Sequence, residues 1–227
     1  MPHRSAIASR ALEAATLAAA LASTTLAAHA VSASPLPPSP VIDADDFVLD
    51  HTQVEWSESY LQWIAAFPRD SSPIGDTTGA SCHAKQQGDV WFLATSDGTG
   101  PVTRACTVPI GKTLFVPIAN TTERSGNREP DCPSMARIAA DSLARHVGAL
   151  SLTIDGVPVD GLARHRLPTG DCFAPGLRQV PRAAARISVA DGWYVMLQPL
   201  PAGAHTLVIG SRFDSTALSV TYKLDVR

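Results

Sequence analysis

The sequence contains few charged and few aromatic residues. Asp, Glu, Lys and Arg make up 17% of the 227 residues, Phe, Trp and Tyr make up 6%, and the formal net charge is −3. A nucleic-acid-binding protein normally carries a basic patch or stripe, and a slightly acidic chain lacks that electrostatic footprint. We therefore expect neither nucleic acid nor an anionic membrane surface as a partner.

Common motifs of metal and nucleophile chemistry are also missing. No C-x-x-C or H-E-x-x-H spacing occurs, which argues against the usual zinc sites. The stretch Gly79–Cys82 lacks the second glycine of a nucleophile elbow, so Ser81 is expected to be a turn residue. Four aspartates within residues 43–50 lack the glycine and distal glutamate of an EF-hand calcium loop. The sequence thus predicts no metal and no cofactor.

One long apolar run is present, and it lies near the N-terminus. Basic residues precede an alanine- and leucine-rich segment, residues 11–28, which closes on the small-x-small tripeptide Ala28–Ala30. This pattern is typical of a secretory signal peptide over residues 1–30. Glu13 interrupts the run and no stop-transfer segment follows, so a membrane anchor is not predicted.

The rest of the chain has the length of one domain. Residues 31–45 are rich in proline and serine and are expected to form a linker, followed by a single domain over residues 46–227. We predict a secreted or periplasmic protein with no transmembrane segment after signal cleavage.

All four cysteines lie beyond the predicted leader. An even number in an exported chain favours disulfides over thiol chemistry. Three pairings can be drawn, and we favour Cys82–Cys106 with Cys132–Cys172, because each closes a moderate loop between neighbouring segments. Each bridge is expected to contribute about 3–4 kcal/mol on the loop-entropy model.

Two helices are predicted. The first begins at a capping box, Thr52–Glu55, continues with an aromatic stripe, and stops at Pro68. We interpret the stripe as packing on a sheet, with a sugar- or lipid-binding platform as the alternative. The stripe consists of Trp56, Tyr60, Trp63 and Phe67. The second helix is predicted over Ser134–Val147. Its apolar face would comprise Met135, Ile138, Leu143 and Val147.

Strand and turn patterns fill the remaining sequence. Val90–Ala94 and Val102–Val108 flank a glycine-rich turn and predict a hairpin. Thr113–Ala119 is apolar throughout, as in a strand covered on both faces, and Pro117 within it indicates an edge or a bulge. Residues 218–226 alternate strictly between apolar and polar, as in a strand with one wet side.

About seven short strands separated by turns predict a mainly β protein. We expect a β-sandwich, immunoglobulin- or jelly-roll-like, with two packed or inserted α-helices. A mixed α+β layer is the alternative.

Seven segments carry a recognisable pattern of the V-W-F-L-A, R-x-C-x-V-P-x-G-K and A-D-G-W type. They are Trp56–Trp63, Pro73–Cys82, Val90–Ala94, Arg104–Lys112, Leu114–Pro117, Ala190–Trp193 and Leu200–Thr206. Together they resemble a family of uncharacterised secreted bacterial proteins, over most of residues 55–225. The resemblance implies secretion but no activity. The last segment is also similar to closing hairpins of immunoglobulin-like modules, a likeness of fold alone.

One group of polar residues is a candidate binding site. Asp76 and His83 precede the predicted hairpin, Arg104 lies within it, and Asn120 and Glu123 follow the apolar third strand. If the first three strands are adjacent, these side chains gather at one end of the sandwich. Arg104 interrupts an apolar strand, so we expect its guanidinium to pair with Asp76 or Glu123. The structural alternative to a binding role is a buried ion pair.

The leading functional hypothesis is a binding or structural-interaction protein without a cofactor. Its ligand is left open, with a glycan or another cell-envelope component as the candidate partner. A second hypothesis is a cell-wall or polysaccharide hydrolase, which needs two carboxylates such as Asp76 with Glu123 or Glu55 with Glu58. A third hypothesis, a small-molecule carrier, requires a deep apolar pocket.

Overall fold

A computed structural model describes residues 39–98, 100–125, 131–174 and 187–227. The predicted signal peptide and residues 31–38 of the predicted linker lie outside these ranges. The described part of the chain forms two α-helices, two short 3-10 helices and eight strands. Their bounds are α1 Gln53–Ala65, Arg69–Ser71 (3-10), β1 Val90–Phe92, β2 Val102–Val108, β3 Thr113–Arg124, α2 Cys132–His146, β4 Val147–Ile154, β5 Val157–Pro158, Leu162–His165 (3-10), β6 Ser188–Leu197, β7 Gly203–Phe213 and β8 Thr216–Val226.

The prediction of a mainly β sandwich with two helices is confirmed. One sheet has three strands in the order β1-β3-β6, and the other has five in the order β2-β8-β7-β4-β5. The facing sides of the two sheets share one apolar core, to which Trp91, Val116 and Val195 contribute from the first sheet and Leu207 and Tyr222 from the second. Burial of this core is the main force that holds the sheets together.

Helix α1 covers the outer face of the three-stranded sheet and forms a third layer. The predicted aromatic stripe packs on that sheet: the Tyr60 and Phe115 rings stack with centroids 5.4 Å apart, and the Trp63 and Phe92 rings with centroids 5.7 Å apart. Tyr60 and Trp63 are 1% and 6% exposed. The stripe is therefore core, and it offers no open platform for a sugar ring or a lipid.

Both helix starts follow from local hydrogen bonds. In α1 the Thr52 hydroxyl accepts from the Glu55 N–H (3.2 Å), and the Glu55 carboxylate accepts from the Thr52 N–H (2.7 Å), so the capping box is confirmed. Helix α2 begins two residues earlier than predicted, after Asp131 as N-cap. Its predicted apolar face is wrong at Ile138, which is 48% exposed. Ala139 takes that place together with Leu143, and both are fully buried.

Strand β3 is covered on both faces, as its apolar sequence predicts. Residues 113–119 are all buried between α1 and the five-stranded sheet. The strand lies in the middle of its sheet, so Pro117 does not mark an edge; the pairing with β6 shifts register between Pro117 and Ala119, which is the bulge alternative. Polar residues extend the strand to Arg124 because they continue to pair with β6.

The predicted hairpin of β1 and β2 is wrong. Strand β1 pairs in parallel with β3, whereas β2 pairs in parallel with β8 in the other sheet. Their burial explains the separation: β1 is buried at every position, and β2 is buried only at alternate positions. Strand β1 lies in the sheet that is covered on both faces, and β2 lies in the sheet that is covered on one face.

The C-terminal strands form an antiparallel meander. Strand β7 pairs with β4 on one side and β8 on the other, and β8 alternates buried and exposed residues as predicted. The chain crosses between sheets after Leu197, so β7 does not pair with β6. Asp155 and Gly156, with φ of 51° and 80°, form the turn between β4 and β5.

Both predicted disulfides are confirmed. Cys82 joins Cys106 of β2, and Cys132 at the start of α2 joins Cys172. Two bridges indicate a compartment outside the reducing cytosol.

The described part of the predicted linker runs beside β6. Val41 forms an antiparallel bridge with Leu197, and the Ile42 N–H donates to the Met196 carbonyl over 2.9 Å. Residues 40–42 therefore add a short extended segment at the end of this strand.

Two histidine–aspartate pairs bracket the ladder between β4 and β7. His205 Nδ1 lies 2.7 Å from Asp155 Oδ2, and His146 Nδ1 lies 2.8 Å from Asp214 Oδ1. Burial alone would lower the pKa of His205, but the Asp155 carboxylate and the Pro201 carbonyl outweigh it and raise the pKa. Burial would raise the pKa of Asp155, and hydrogen bonds from His205 and Thr206 reverse this and lower it.

These opposite shifts predict a pH window for the stabilisation. The contribution of His205 is complete below its unfolded pKa of about 6.5 and is lost as pH rises through the higher folded value. The contribution of Asp155 is complete above its unfolded pKa of about 3.9 and is lost as pH falls through the lower folded value. We expect His205→Gln to destabilise the protein by at most about 1 kcal/mol at pH 5.5 and by almost nothing at pH 9.

Urea unfolding at both pH values measures the difference. The exposed His83 provides the control variant, His83→Gln. An equal loss from His205→Gln at both pH values would contradict a charged imidazole in this pair.

Candidate functional site

Arg104 is a fully buried cation on β2, and its side chain is 1% exposed. A guanidinium has five N–H donors, and here each meets an acceptor. Nε donates to the Asp76 carbonyl (2.6 Å), Nη1 to the Ala94 carbonyl (2.6 Å) and the Tyr222 hydroxyl (2.7 Å), and Nη2 to the Ile74 and Thr95 carbonyls (both 2.9 Å). Arg104 thus joins two loops to β8.

Tyr222 completes this network. Burial raises its pKa in spite of the adjacent guanidinium, so the phenol stays protonated. Its hydroxyl donates to the Ala94 carbonyl and accepts from the Ala94 N–H, both over 2.8 Å. The side chain of Arg104 therefore has no donor left for a ligand.

The expected ion pair between Arg104 and a carboxylate is wrong. The Asp76 carboxylate accepts instead from its own loop: Oδ1 from the N–H groups of Thr78 (2.8 Å) and Gly79 (3.0 Å), and Oδ2 from the Ser81 N–H (2.7 Å). Burial would raise the pKa of Asp76, but these hydrogen bonds outweigh it and lower the pKa. Asp76 orders the loop, and only its backbone carbonyl touches Arg104.

The loop is fixed on β2 by backbone contact. The Ala105 N–H donates to the Thr78 carbonyl over 2.9 Å, and Gly79 adopts a φ of +94°. A Cβ at Gly79 would lie 2.3 Å from the Ala105 carbonyl oxygen, so only glycine fits. The bridge from Cys82 to Cys106 closes the same contact.

The five predicted site residues do not form one group. Asp76 and Arg104 meet through the carbonyl, and His83 is exposed on the following turn. Asn120 and Glu123 lie opposite Gly192 and Val189 of β6, respectively. Since they are three positions apart along a strand, they project from opposite faces of the sheet.

Asn120 lines an open cleft between α1 and the end of β3. We call it the α1–β3 cleft; its volume is about 120 Å³, below the roughly 300–1,000 Å³ of sites for drug-sized ligands, so it has room only for a small molecule. The cleft is lined by Tyr60, Leu61, Ile64, Ile74, Asn120, Thr122 and Arg124. Its floor is mainly apolar, and its polar residues all come from β3.

The polar row occupies every second position of the strand. Asn120 and Thr122 are half-buried and Arg124 is exposed. Their side chains make no hydrogen bond or ion pair with another residue that the structure describes. The sequence-based prediction included Asn120 but missed Thr122 and Arg124, because it ended the third strand at Ala119, whereas the strand continues to Arg124.

A second polar cluster lies on the opposite face of β6. The carboxylate of Asp191, 2% exposed, accepts two hydrogen bonds from Arg166, Nε to Oδ1 at 3.0 Å and Nη2 to Oδ2 at 2.7 Å. The guanidinium carbon lies 5.4 Å from the centroid of the Trp193 ring. Because Arg166 binds both oxygens of this carboxylate, we interpret the pair as having a structural role.

The carboxylate pairs named for hydrolysis are not supported by this geometry. Asp76 is committed to its loop, and Glu123 belongs to a different part of the molecule. Glu55 is committed to the capping box. Burial raises the pKa of Glu58, and repulsion from Glu55 and Asp171 adds to it. Neither pair presents two free, facing carboxylates as glycoside hydrolysis requires.

The described ranges contain neither a metal-binding cluster nor a membrane-spanning helix. The residues placed by the structure include no group of three or more His, Cys, Asp or Glu side chains arranged for a metal ion. Neither helix in the described part has both the length and the apolar character needed to span a bilayer.

Comparison with known proteins adds no functional information. No protein-family model and no curated protein matches the chain. Three solved structures show weak similarity: Amebosin (10% identity, 62% of this chain and 100% of that one, TM-score 0.22), PbICP-C solved in complex with falcipain-2 (12%, 62% and 100%, 0.27) and the Dscam1 Ig7 domain (12%, 60% and 93%, 0.20). At these TM-scores the similarities carry no argument.

Proposed function

We propose that this is a secreted or periplasmic binding protein whose small ligand occupies the α1–β3 cleft. The observation that carries the proposal is the combination of an apolar floor with a row of three polar side chains whose hydrogen-bonding groups are unused by the described residues. Binding sites for small molecules typically combine apolar walls with a few polar groups that fix the orientation of the ligand. No bound cofactor is part of the proposal.

The two disulfides and the N-terminal sequence support an exported protein. The cleft is also well placed for binding, because α1 is held rigidly on the sheet by its aromatic stripe. A ligand would therefore meet a preformed surface, which lowers the entropic cost of binding.

A thermal-shift screen tests this proposal. The panel comprises short-chain and aromatic carboxylates, alcohols and amines, together with neutral oligosaccharides. At a ligand concentration of about 100 times Kd, stabilisation of about 2.7 kcal/mol should raise Tm by roughly 5–10 °C.

A cleft-filling variant locates the binding. Thr122→Trp places a large side chain in the cleft and should abolish the shift caused by any hit. The matched control, Thr103→Trp, changes an exposed threonine on the edge strand β2 and should leave the shift intact. No hit in the panel, or an equal shift in the Thr122→Trp variant, would refute the proposal.

A further inference from the structure

Among the described residues that line the α1–β3 cleft, Arg124 has the only ionisable side chain besides the buried Tyr60. It is exposed at the end of β3, and no carboxylate of a described residue pairs with it. Arginine stays charged at any physiological pH and has donors but no acceptor. A ligand group in front of Arg124 must therefore be an acceptor, and a carboxylate fits its planar fork best.

The other two polar side chains extend this preference along the strand. Residues two apart on a strand lie about 7 Å from each other on the same face. Thr122 can therefore donate to the same ligand that reaches Arg124, and the Asn120 amide lies one step further in. Exposure increases from Asn120 to Arg124, so the charge of the ligand would remain at the mouth, where water still reaches it.

The apolar part of the ligand has a separate place. Leu61 and Ile64 of α1 and Ile74 of the adjoining loop lie across from the polar row. Contact with these side chains removes apolar ligand surface from water, which favours binding in proportion to the area covered. A single cation beside an apolar floor therefore suits a molecule with one charged end.

We infer that the α1–β3 cleft selects an amphipathic carboxylate, with its carboxylate on Arg124 and its apolar part against Leu61, Ile64 and Ile74. The inference rests on the proposed function and narrows its ligand class. An ammonium compound of the same skeleton would be repelled by the guanidinium, and a neutral alcohol would gain only the apolar contacts.

Calorimetric titration with matched probes tests the inference on the oxidised protein. The probes are hexanoate and phenylacetate, the alcohols hexanol and 2-phenylethanol, and hexylamine. We expect each carboxylate to bind about tenfold or more tightly than its alcohol, because hydrogen bonds to charged groups are the stronger ones. Hexylamine should bind most weakly.

Substitution of Arg124 isolates the charge. Arg124→Gln should weaken carboxylate binding to the level of the alcohol and leave alcohol binding unchanged. Arg124→Lys, which keeps the charge but loses the fork, should lie between the two. Arg212→Gln, at an exposed arginine of β7, is the matched control and should change neither.

The outcomes separate the inference from the proposed function. If the alcohols bind as tightly as the carboxylates, or if Arg124→Gln leaves carboxylate binding unchanged, the inference is wrong while the cleft remains a binding site. If neither carboxylates nor alcohols bind, both the inference and the proposed function fail for these ligands.

Discussion

Arg104→Met is expected to destabilise the protein by about 3–5 kcal/mol, which is a large part of the stability of an ordinary domain. The substitution fills a similar volume but leaves the carbonyls of Ile74, Asp76 and Thr95, all half-buried residues, without their donor. The Ala94 carbonyl loses one of two donors and keeps the Tyr222 hydroxyl. Buried acceptors without partners carry a desolvation penalty that no other contact offsets. Guanidinium chloride unfolding of the oxidised protein measures the loss.

Two further variants make this result interpretable. Arg104→Lys retains the charge with three donors in place of five and should lose less stability, so it gives a value even if the methionine variant does not fold. Arg212→Met, at an exposed position of β7, should remain within about 0.5 kcal/mol of the parent protein. If Arg104→Met had the same free energy of unfolding as the Arg212→Met control, the buried network would contribute no net stability.

Arg166→Met is expected to have the second largest effect, a loss of about 3–5 kcal/mol. The side chain of Asp191 is only 3% exposed, and both of its oxygens receive hydrogen bonds from Arg166. Without the guanidinium, a carboxylate is left buried beside Trp193 with no opposite charge. Chemical unfolding at pH 7 measures the change in the free energy of unfolding.

A double-mutant cycle distinguishes this effect from lost packing. The double variant Arg166→Met/Asp191→Asn should recover much of the loss, because the buried charge is then absent. The exposed pair Arg227–Asp225, with side chains 72% and 53% exposed, provides the control. Arg227→Met should cost less than about 1 kcal/mol. If the double variant is no more stable than Arg166→Met, the loss of stability comes from lost packing and not from the buried charge.

Local features of the fold could be predicted because they depend on residues close in the chain. The capping box at Thr52, the alternation of β8 and the moderate spacing of the cysteines each specify their structure within a few tens of residues. The pairing of strands depends on residues far apart. The turn between Val90–Ala94 and Val102–Val108 resembles a hairpin locally, yet the two strands join different sheets.

The sequence did contain the information that separates these strands. Val90–Phe92 is apolar at every position, whereas Val102–Val108 alternates, and the two patterns correspond to different degrees of covering. Turn chemistry is a weaker guide than this difference when a glycine-rich segment is long enough to cross from one layer to another.

The candidate site was harder to predict for a similar reason. The apolar surroundings of Arg104 in its strand indicate burial, but its acceptors are carbonyl groups, which every residue has and no sequence pattern marks. Alternation along β3 places Asn120 and Arg124 on one face and Glu123 on the other, and the bulge after Pro117 turns the face of Asn120 and Arg124 toward α1. If alternate residues are counted from Thr113 without the bulge, Glu123 is placed on the face toward α1, and Asn120 and Arg124 are placed on the other face.

The parallel pairing of β2 with β8 has a consequence for biosynthesis. Val102 pairs with Val220, so β2 is synthesised more than a hundred residues before β8, its neighbour among the described strands. An unpaired strand edge in a nascent chain is prone to aggregate. Cys82 and Cys106 are separated by 24 residues, and both precede β8, so their disulfide can form before β8 has been synthesised. Oxidation of this pair would hold residues 78–82 against one edge of β2 and leave the other edge open for β8.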